Sequence, residues 1–294
     1  MDQQRTISKE AYFQGIGLHT GNMCKAEFKP APPDHGVVLV RTDLPGRPSV
    51  KAHYSNVLSV IRGTTVGTEA MRVHTIEHVL SAVYALGIDN LLIEVNANEP
   101  PVADGSSKLF YDTLKEAGIQ EQGVPALYLQ PKERVDYKMG ETEVFIEPAD
   151  ELKLTVSVNF KHPLIGQQDM AAVIEPAAYR QEIAPARTFC FDYEVEALQK
   201  QGLAKGGSLD NAVVVGLDRI HNKEKTLRFP NEFARHKTLD LLGDLFLLGR
   251  RLKGHVTAIR PGHGHNINFV KLLAEKCLPG AQAAPLPASE LTQY

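Results

Sequence analysis

The chain has 294 residues, which is long enough for about two ordinary domains of roughly 100–200 residues each. Hydrophobic residues make up 43% and charged residues 23%, values that are typical of a globular protein and exclude disordered, collagen-like and coiled-coil chains. The formal charge is −3, and no block of about five or six like charges offers a surface for nucleic acid or for a membrane.

Cysteine usage and the apolar stretches indicate the compartment. Three cysteines, Cys24, Cys190 and Cys277, are odd in number and far apart, so neither a disulfide framework nor a cysteine zinc site is predicted. The first residues lack the basic-then-apolar order of a secretory signal. The longest apolar stretch, 241–248, is interrupted by a glycine and an aspartate. We therefore expect a cytoplasmic protein without an integral membrane segment.

The first 120 residues read as strands followed by a helix, a strand and a second helix. Apolar residues at helical spacing follow Thr75, an expected N-cap, and end at Gly87. A later loop carries Asp104 and leads to Ser106, the expected cap of a helix that closes at Gly118. The predicted strands are Cys24–Phe28, Gly36–Arg41, Val50–Tyr54 and Asn90–Asn96.

The second half begins after a polar segment, Gln120–Pro125, where we expect the domain boundary. Strands are predicted at Leu127–Gln130, Glu143–Glu147, Leu154–Phe160 and His255–Ile259. Helices are predicted at Ala177–Ile183, Tyr193–Gln201, Glu232–Leu248 and Ile267–Lys276, the last one after a loop at Arg260–His265.

Both halves follow one order of elements: several strands, a helix, a strand, a glycine-containing loop and a final helix. His78 precedes Asp104 by 26 positions, and His236 precedes His263 by 27. This parallel predicts a structural duplication whose two helices face each other across a cleft between domains. The expected units are an N-terminal domain at 1–122, a C-terminal domain at 123–280 and a poorly ordered tail at 281–294.

A metal site is suggested by His236 and Asp240, because residues four apart on a helix share one face and can direct two ligand atoms at one ion. The pair alone also fits an ordinary helical histidine beside a carboxylate. His78 would supply a third ligand and Glu77 a neighbouring base. Two imidazoles and one carboxylate form an open catalytic zinc site, and they also suit Fe²⁺.

Two histidine patterns leave alternatives open. His74 and His78 match the H-x-x-E-H pattern of zinc peptidases, but an N-cap at Thr75 would place His74 before the helix. His263, in a glycine-flanked loop, is a candidate general acid that Asp244 could orient. The same loop also fits turn glycines with surface histidines.

Seven motifs, in order along the chain, identify a resemblance to a known family. They are Gly15–Gly21, Thr75–His78, Ala85–Asn90, Asp104–Ser106, Ala186–Phe189, Ser208–Ala212 and Arg235–Asp240. Together they resemble the bacterial UDP-3-O-acyl-N-acetylglucosamine deacetylases, the zinc amidases of lipid A synthesis. The likeness spans nearly the whole chain.

The resemblance implies an α+β fold of two similar two-layer sandwich domains, each with a small insert. One insert, within about Asp192–Val215, would form a tunnel for the acyl chain, and Val195 and Leu198 offer apolar surface for it. The substrate would be a small molecule, an acylated UDP-amino sugar. Some family members continue into a fused dehydratase domain.

The resemblance also implies a role for individual residues. His78, His236 and Asp240 would hold zinc, Glu77 would act as general base, His263 as general acid oriented by Asp244, and Thr188 as oxyanion stabiliser. The implied substrate-binding residues are Lys237 near phosphate, Phe189, Phe191, Phe160 against uracil, Leu18 and His19.

Two alternatives stay open at this stage. His265 lies two positions after His263 and could take the role of the acid. A non-catalytic nucleotide-sugar or lipid binder could share the scaffold, but it would have no use for Glu77, His263 and Thr188 together.

Overall fold

The computed structural model describes residues 2–222, 226–281 and 286, and these form six α-helices and nineteen strands. The predicted tail at 281–294 lies outside the described residues except for positions 281 and 286. The helices are α1 Glu77–Ala85, α2 Lys108–Glu116, α3 Pro176–Ala178, α4 Asp192–Lys200, α5 Glu232–Phe246 and α6 His263–Cys277, with a 3₁₀ turn at Tyr54–Asn56 and a π turn at Tyr179–Ile183.

Strands occupy most of the remaining described chain, in two groups. The first group is β1 Gln3–Ile7, β2 Ala11–Ile16, β3 Met23–Pro30, β4 Val37–Arg41, β5 Ser49–Lys51, β6 Val57–Ser59, β7 Thr65–Gly67, β8 Arg72–Val73, β9 Leu91–Val95 and β10 Ile119–Pro125. The second group is β11 Tyr128–Leu129, β12 Val135–Met139, β13 Thr142–Glu147, β14 Leu152–Phe160, β15 Gly166–Val173, β16 Phe189–Phe191, β17 Val213–Val215, β18 Arg251–Leu252 and β19 Gly254–Ile259.

Two five-stranded sheets carry the same topology. The first has the order β2-β3-β9-β4-β5 and the second β12-β13-β19-β14-β15. In each sheet the third and fourth strands pair in parallel, and all other neighbours are antiparallel. Alternate residues of β14 are buried, which is the period of a strand with one face on the core. The duplicated α+β architecture expected from the sequence is confirmed.

Contacts among α1, α2, α5 and α6 connect the two sheets. On the first sheet, α2 packs through Phe110 against Phe13 and Phe28, while α5 and α6 cover the second sheet. α1 contacts both α2 and α5, so the first helices of the two halves meet. An added Cβ at Gly243 of α5 would lie 2.2 Å from the carbonyl oxygen of Glu77, and this glycine therefore permits backbone contact between α1 and α5.

Three local expectations differ from the structure. The polar segment Gln120–Pro125, which was not predicted as a strand, belongs to β10 and pairs antiparallel with β1. The helix expected to be capped by Ser106 begins at Lys108, after Ser107. The loop expected at Arg260–His265 ends early, because α6 already begins at His263. The boundary at 122 stays a prediction, and β10 runs through it.

No helix in the described part of the chain combines the length and the apolar character needed to cross a bilayer.

Candidate metal centre

Three side chains converge where α1 and α5 meet, and we name His78, His236 and Asp240 the ligand triad. One potential ligand atom from each lies within 4.8 Å of the other two. The Nε2 atoms of His78 and His236 are 3.9 and 3.4 Å from Oδ1 of Asp240. All three residues are buried. The structure thus brings together the three residues that the sequence suggested for a metal.

The Oδ1 atom of Asp240 is a buried acceptor without a hydrogen-bond donor among the described residues. A buried carboxylate oxygen without a donor is costly, and a cation at that position would satisfy it. Two imidazole nitrogens beside one carboxylate are the donor set of an open tetrahedral zinc site. The residues present therefore fit a divalent cation.

The imidazoles of His78 and His236 are in the protonation state that binds metal. Nδ1 of His236 donates to the carbonyl oxygen of Ala186 at 3.1 Å, and this leaves the unprotonated Nε2 facing the triad. Burial lowers the pKa of His78 to about 3 and also lowers the pKa of His236. Both rings are therefore neutral near pH 7, which is the form that binds metal.

Glu77 is the first residue of α1 and adjoins the ligand triad. Its carboxylate Oε2 accepts the backbone N–H of Thr64 at 2.9 Å. Burial raises the pKa of Glu77 to about 8, with the carboxylates of Asp240 and Asp244 acting in the same direction. Glu77, Asp240 and His263 also present potential ligand atoms within 4.8 Å of one another. A carboxylate whose pKa lies near neutrality is suited to exchange protons.

His263 begins α6, and its ring points at the same centre. Nε2 lies 3.8 Å from Oε1 of Glu77 and 3.8 Å from Oδ2 of Asp240. Nδ1 donates to Oδ2 of Asp244 at 2.9 Å. Burial by itself would lower the pKa of His263, but the carboxylates of Asp244, Glu77 and Asp240 outweigh it and raise the pKa to about 9. The His263 ring is therefore protonated on both nitrogens and positively charged at neutral pH.

His265, the alternative acid, has a different environment. Its Nδ1 lies 3.1 Å from the hydroxyl of Tyr137, and burial lowers its pKa. His265 also lines the cavity described below, but its pKa is not raised by a carboxylate as that of His263 is. The geometry favours His263 as the proton donor.

A cavity of about 550 Å³ opens above the ligand triad. The ring centroid of Phe160 lies 5.5 Å from that of Phe189 and 6.0 Å from that of Phe191. The Nζ atom of Lys237 donates to Oδ2 of Asp240 at 3.0 Å and lies 5.7 Å from the centre of the Phe189 ring. Among the candidate site residues, those that line this cavity are Leu18, Glu77, His78, Phe160, Thr188, Phe189, Phe191, His236, Lys237, Asp240 and His263.

A second, apolar cavity of about 290 Å³ shares part of this wall. Leu18, Thr188, Phe189 and Leu198 line both cavities, and Val195 adds apolar surface from α4 to the smaller one. The segment 192–215, in which a tunnel insert was predicted, therefore contributes to the wall of this cavity. His19 lines the apolar cavity, and its Nε2 donates to the carbonyl oxygen of Arg62 at 3.1 Å.

The expected N-cap at Thr75 is wrong. The residue has a φ of +54°, and α1 begins two positions later, after Ile76. The Thr75 hydroxyl donates to Oε1 of Glu99 at 2.8 Å, which explains why it does not cap the helix. His74 still lies before the helix, with Nδ1 3.0 Å from the Thr65 hydroxyl, and it is in neither metal-binding group found in the described chain. The peptidase pattern therefore lacks its first ligand.

Two side chains that position Asp244 were not identified from the sequence. The hydroxyl of Thr64 donates to Oδ1 of Asp244 at 2.6 Å, and Nδ2 of Asn266 donates to Oδ2 at 2.9 Å. Thr64 comes from a turn without a motif, so no local signal could have found it. Asn266 lies three residues after His263 in the same helix, and this spacing was a usable signal.

The family profile described as LpxC, UDP-3-O-acyl N-acetylglycosamine deacetylase, matches residues 4–275. The chain belongs to this deacetylase family. A deacetylase of this name from Bdellovibrio bacteriovorus is 45% identical over 260 residues, which cover 88% of this chain and 86% of the relative. A deacetylase of the same name from Teredinibacter turnerae is 42% identical over 278 residues, which cover 94% of this chain and 91% of the relative.

A longer relative of the deacetylase family is the bifunctional enzyme LpxC/FabZ of Chlorobaculum tepidum. It is 44% identical over 299 residues, and the match covers 92% of this chain but only 64% of the relative. The chain thus spans less than two thirds of that protein.

Proposed function

We propose that this chain hydrolyses the 2-acetamido group of UDP-3-O-acyl-N-acetylglucosamine, releasing acetate and a free amine, the committed step of lipid A biosynthesis. The observation that carries the proposal is the ligand triad beside two groups that can transfer protons, the carboxyl group of Glu77 and the imidazole of His263, whose pKa values are both raised. Membership of the deacetylase family and the names of the relatives support the substrate. The cytoplasmic location and a fused or separate dehydratase partner stay predictions.

The ligand triad would hold a divalent cation, for which we propose Zn²⁺, with Fe²⁺ as the alternative that the same donor set accepts. When bound, such a cation polarises an amide carbonyl and makes water more acidic. His78 and His236 would supply neutral nitrogens and Asp240 the unpartnered Oδ1.

Glu77 acts as the base that removes a proton from the attacking water. Its pKa of about 8 makes the ionised form a stronger base than an ordinary glutamate, and a cation held by the ligand triad would favour that form. The N–H of Thr64 fixes one carboxylate oxygen. Water oxygen bonds to the acetamide carbon, and electron density moves to the carbonyl oxygen. Thr188, which lines the cavity, is proposed to stabilise that developing negative charge.

His263 acts as the acid. Cleavage of the C–N bond requires a proton on the leaving amine, and the His263 imidazole carries one because its pKa is about 9. Asp244 holds the ring by Nδ1, so that Nε2 faces the centre. The two groups thus divide the proton transfers, because Glu77 is a carboxyl group that is neutral when protonated and His263 is an imidazolium held by Asp244.

Substrate recognition divides between the two cavities. The larger one presents Lys237, a point charge suited to phosphate, and the aromatic rings of Phe160, Phe189 and Phe191 for the sugar and uracil. Leu18 lines both this cavity and the apolar one, which His19 also lines and which we propose accepts the 3-O-acyl chain. Each buried CH₂ contributes about 0.8 kcal/mol, so this cavity would dominate the preference for acyl length.

An acetate-release assay tests the proposal. Purified protein is incubated with UDP-3-O-acyl-N-acetylglucosamine before and after chelation, and again after Zn²⁺ is restored. We expect metal-dependent release of one acetate per free amine, and little release from UDP-N-acetylglucosamine, which has no acyl chain. Binding of the acylated nucleotide sugar without acetate release by the metal-loaded protein would instead indicate a non-catalytic binder.

A further inference from the structure

Glu99 is a fully buried carboxylate in the loop after β9, and the proposed mechanism does not use it. Its oxygens accept hydrogen bonds from the backbone N–H groups of His19 and Thr20 at 2.8–3.0 Å. The hydroxyls of Thr20 and Thr75 donate to it as well, each at 2.8 Å. One carboxylate therefore joins two segments that are far apart in sequence, the loop at 17–20 and the entry to α1.

On the helix side, Glu99 holds Thr75 in a left-handed conformation. A φ of +54° is rare for a β-branched residue and persists only where its surroundings impose it. The hydrogen bond to Oε1 of Glu99 supplies such a constraint. Because Glu77 and His78 follow Thr75 within three residues, the direction in which the chain enters α1 sets where both side chains lie.

On the other side, the loop at 17–20 is bonded to the segment that follows α4. The carbonyl oxygens of Leu18 and His19 accept the N–H groups of Gly206 and Lys205 at 3.0 and 3.2 Å. The Nδ1 atom of His19 accepts the N–H of Ala204 at 3.4 Å. The loop is therefore fixed to the wall of the apolar cavity, which Leu18 and His19 themselves line.

Two glycines allow this close contact. An added Cβ at Gly17 would lie 2.6 Å from Oε2 of Glu99, and one at Gly206 would lie 2.1 Å from the carbonyl oxygen of Gly17. Neither position has room for a side chain. The glycine-rich motif at Gly15–Gly21 thus has a physical reason, since it brings backbone N–H groups onto one buried carboxylate.

We propose that Glu99 is a positioning residue that makes two properties depend on one group: the placement of Glu77 and His78, and the shape of the acyl-chain cavity. This inference rests on the function proposed above. It assigns Glu99 no contact with the substrate, and it predicts that acyl-length preference and turnover change together when the carboxylate is altered.

The first test is Glu99→Gln, which keeps the size of the side chain but replaces one acceptor oxygen by an NH₂ group facing donors. At least one donor then loses its partner, and the loop and Thr75 must move. We expect kcat to fall about tenfold or more and KM to rise for the long-acyl substrate, while bound metal is retained. Values of kcat and KM within about twofold of the unmodified chain would overturn the proposal.

Two isosteric variants separate the two sides. Thr75→Val removes only the donor at the helix entry, and we expect it to lower kcat alike for substrates with long and short acyl chains. Thr20→Val removes a donor on the loop, and we expect it to raise KM for the long chain only. Thr75→Ser, which keeps the hydroxyl, should restore kcat. If kcat and KM depended on acyl length in the same way in Thr75→Val and Thr20→Val, Glu99 would not link the placement of Glu77 and His78 to the shape of the acyl-chain cavity.

A matched control excludes a purely structural effect. Asp89 accepts the N–H of Arg5 at 2.7 Å and pairs with Arg251, outside both substrate cavities. Asp89→Asn is expected to lower the melting temperature and to leave kcat and KM unchanged. Should it reduce kcat to the same extent as Glu99→Gln, the effect of Glu99 would be one of general stability.

A readout without turnover separates this proposal from the proposed function. Failure of the unmodified, metal-loaded chain to release acetate would refute the function. The visible absorption spectrum of the Co²⁺-loaded protein would then still report the geometry of the ligand triad. We expect Glu99→Gln and Thr75→Val to change that spectrum and Asp89→Asn to leave it unchanged. Identical spectra in all four proteins would overturn the positioning role.

Discussion

The two halves of the chain share one topology but differ at the turn before their last helix. In the C-terminal half, α6 begins with His263, whose imidazole faces Glu77 and Asp240. In the N-terminal half, the turn before α2 carries Asp104, whose Oδ2 pairs with Arg228 at 2.7 Å. The same place in a repeated architecture thus supplies a proton donor in one half and a structural ion pair in the other. Topology brings the helices together, and individual side chains decide the chemistry.

The largest effect is expected from variants that test whether both halves of the chain are needed to bind the metal. His78→Ala removes the ligand from α1 and His236→Ala removes one from α5. Each should abolish stoichiometric metal binding and lower acetate release by more than about 10³-fold, because each removes a direct ligand. Metal analysis beside the turnover assay measures this. The control is His255→Ala, because the ring of His255 contacts Thr155 on the second sheet. Full metal content in either ligand variant would contradict the shared site.

The next prediction concerns the proton donor. His263→Ala should lower turnover by about 10² or more while the metal stays bound, the size of effect that general acid catalysis gives. His265→Ala is the matched control two positions away, and we expect turnover close to that of the unmodified chain. Turnover and metal content are measured for both. A large loss in His265→Ala with unchanged turnover in His263→Ala would transfer the acid role to His265.

A smaller effect compares Asp244, which holds His263, with Asp104, which stands in the N-terminal half at the place that His263 occupies in the C-terminal half. Asp244→Asn should lower kcat about 10- to 100-fold, because Asp244 orients the imidazole of His263 and raises its pKa. Asp104→Asn should leave kcat within a few-fold of the value for the unmodified chain and lower the melting temperature slightly. The partly exposed ion pair between Asp104 and Arg228 contributes only about 0–1 kcal/mol to the free energy of unfolding. Steady-state kinetics and thermal melts distinguish them. Equal losses of kcat would show that the turn before α2 also serves catalysis.

The smallest effect is on the pH dependence of stability in the metal-free protein. The pKa of Glu77 is raised from 4.5 to about 8 and that of His263 from 6.5 to about 9, so between pH 7 and 9 the folded state holds protons that the unfolded chain has lost. The free energy of unfolding should therefore fall as pH rises, by at most about 1.4 kcal/mol per pH unit for each group. Urea unfolding at pH 7, 8 and 9 measures this.

The control for that measurement is the double variant Glu77→Gln and His263→Gln. Its free energy of unfolding should change much less over the same range, because neither side chain then titrates there. A steeper slope in the double variant than in the unmodified chain would show that other groups govern stability at alkaline pH.

The sequence could predict the parts of the site that lie on regular elements. His236 and Asp240 are four apart on a helix, so their common face followed from helical geometry alone. The duplication could also be predicted, since helix and loop positions repeat at similar spacings. The convergence of His78 with His236, however, is a contact over more than 150 positions, and before the fold was known it was suggested only by the parallel between the two halves and by the resemblance to a family.

What could not be predicted depends on buried polar contacts between distant segments. Thr75 looked like a helix cap because its position before an apolar run is typical of one, but the carboxylate of Glu99 takes its hydroxyl. Gln120–Pro125 was not predicted as a strand because it is polar and contains Gly123 and Pro125, but pairing with β1 satisfies its backbone. In each case a partner remote in sequence outweighs the local preference.

Gly243 gives the site a property that no single side chain provides. At this glycine α1 and α5 touch backbone to backbone, and the donor atoms of the triad come from both helices. The separation of the two helices therefore sets how closely His78 can approach His236 and Asp240. An alanine at 243 would force the two backbones apart, so this glycine maintains the spacing of the triad although it carries no donor atom.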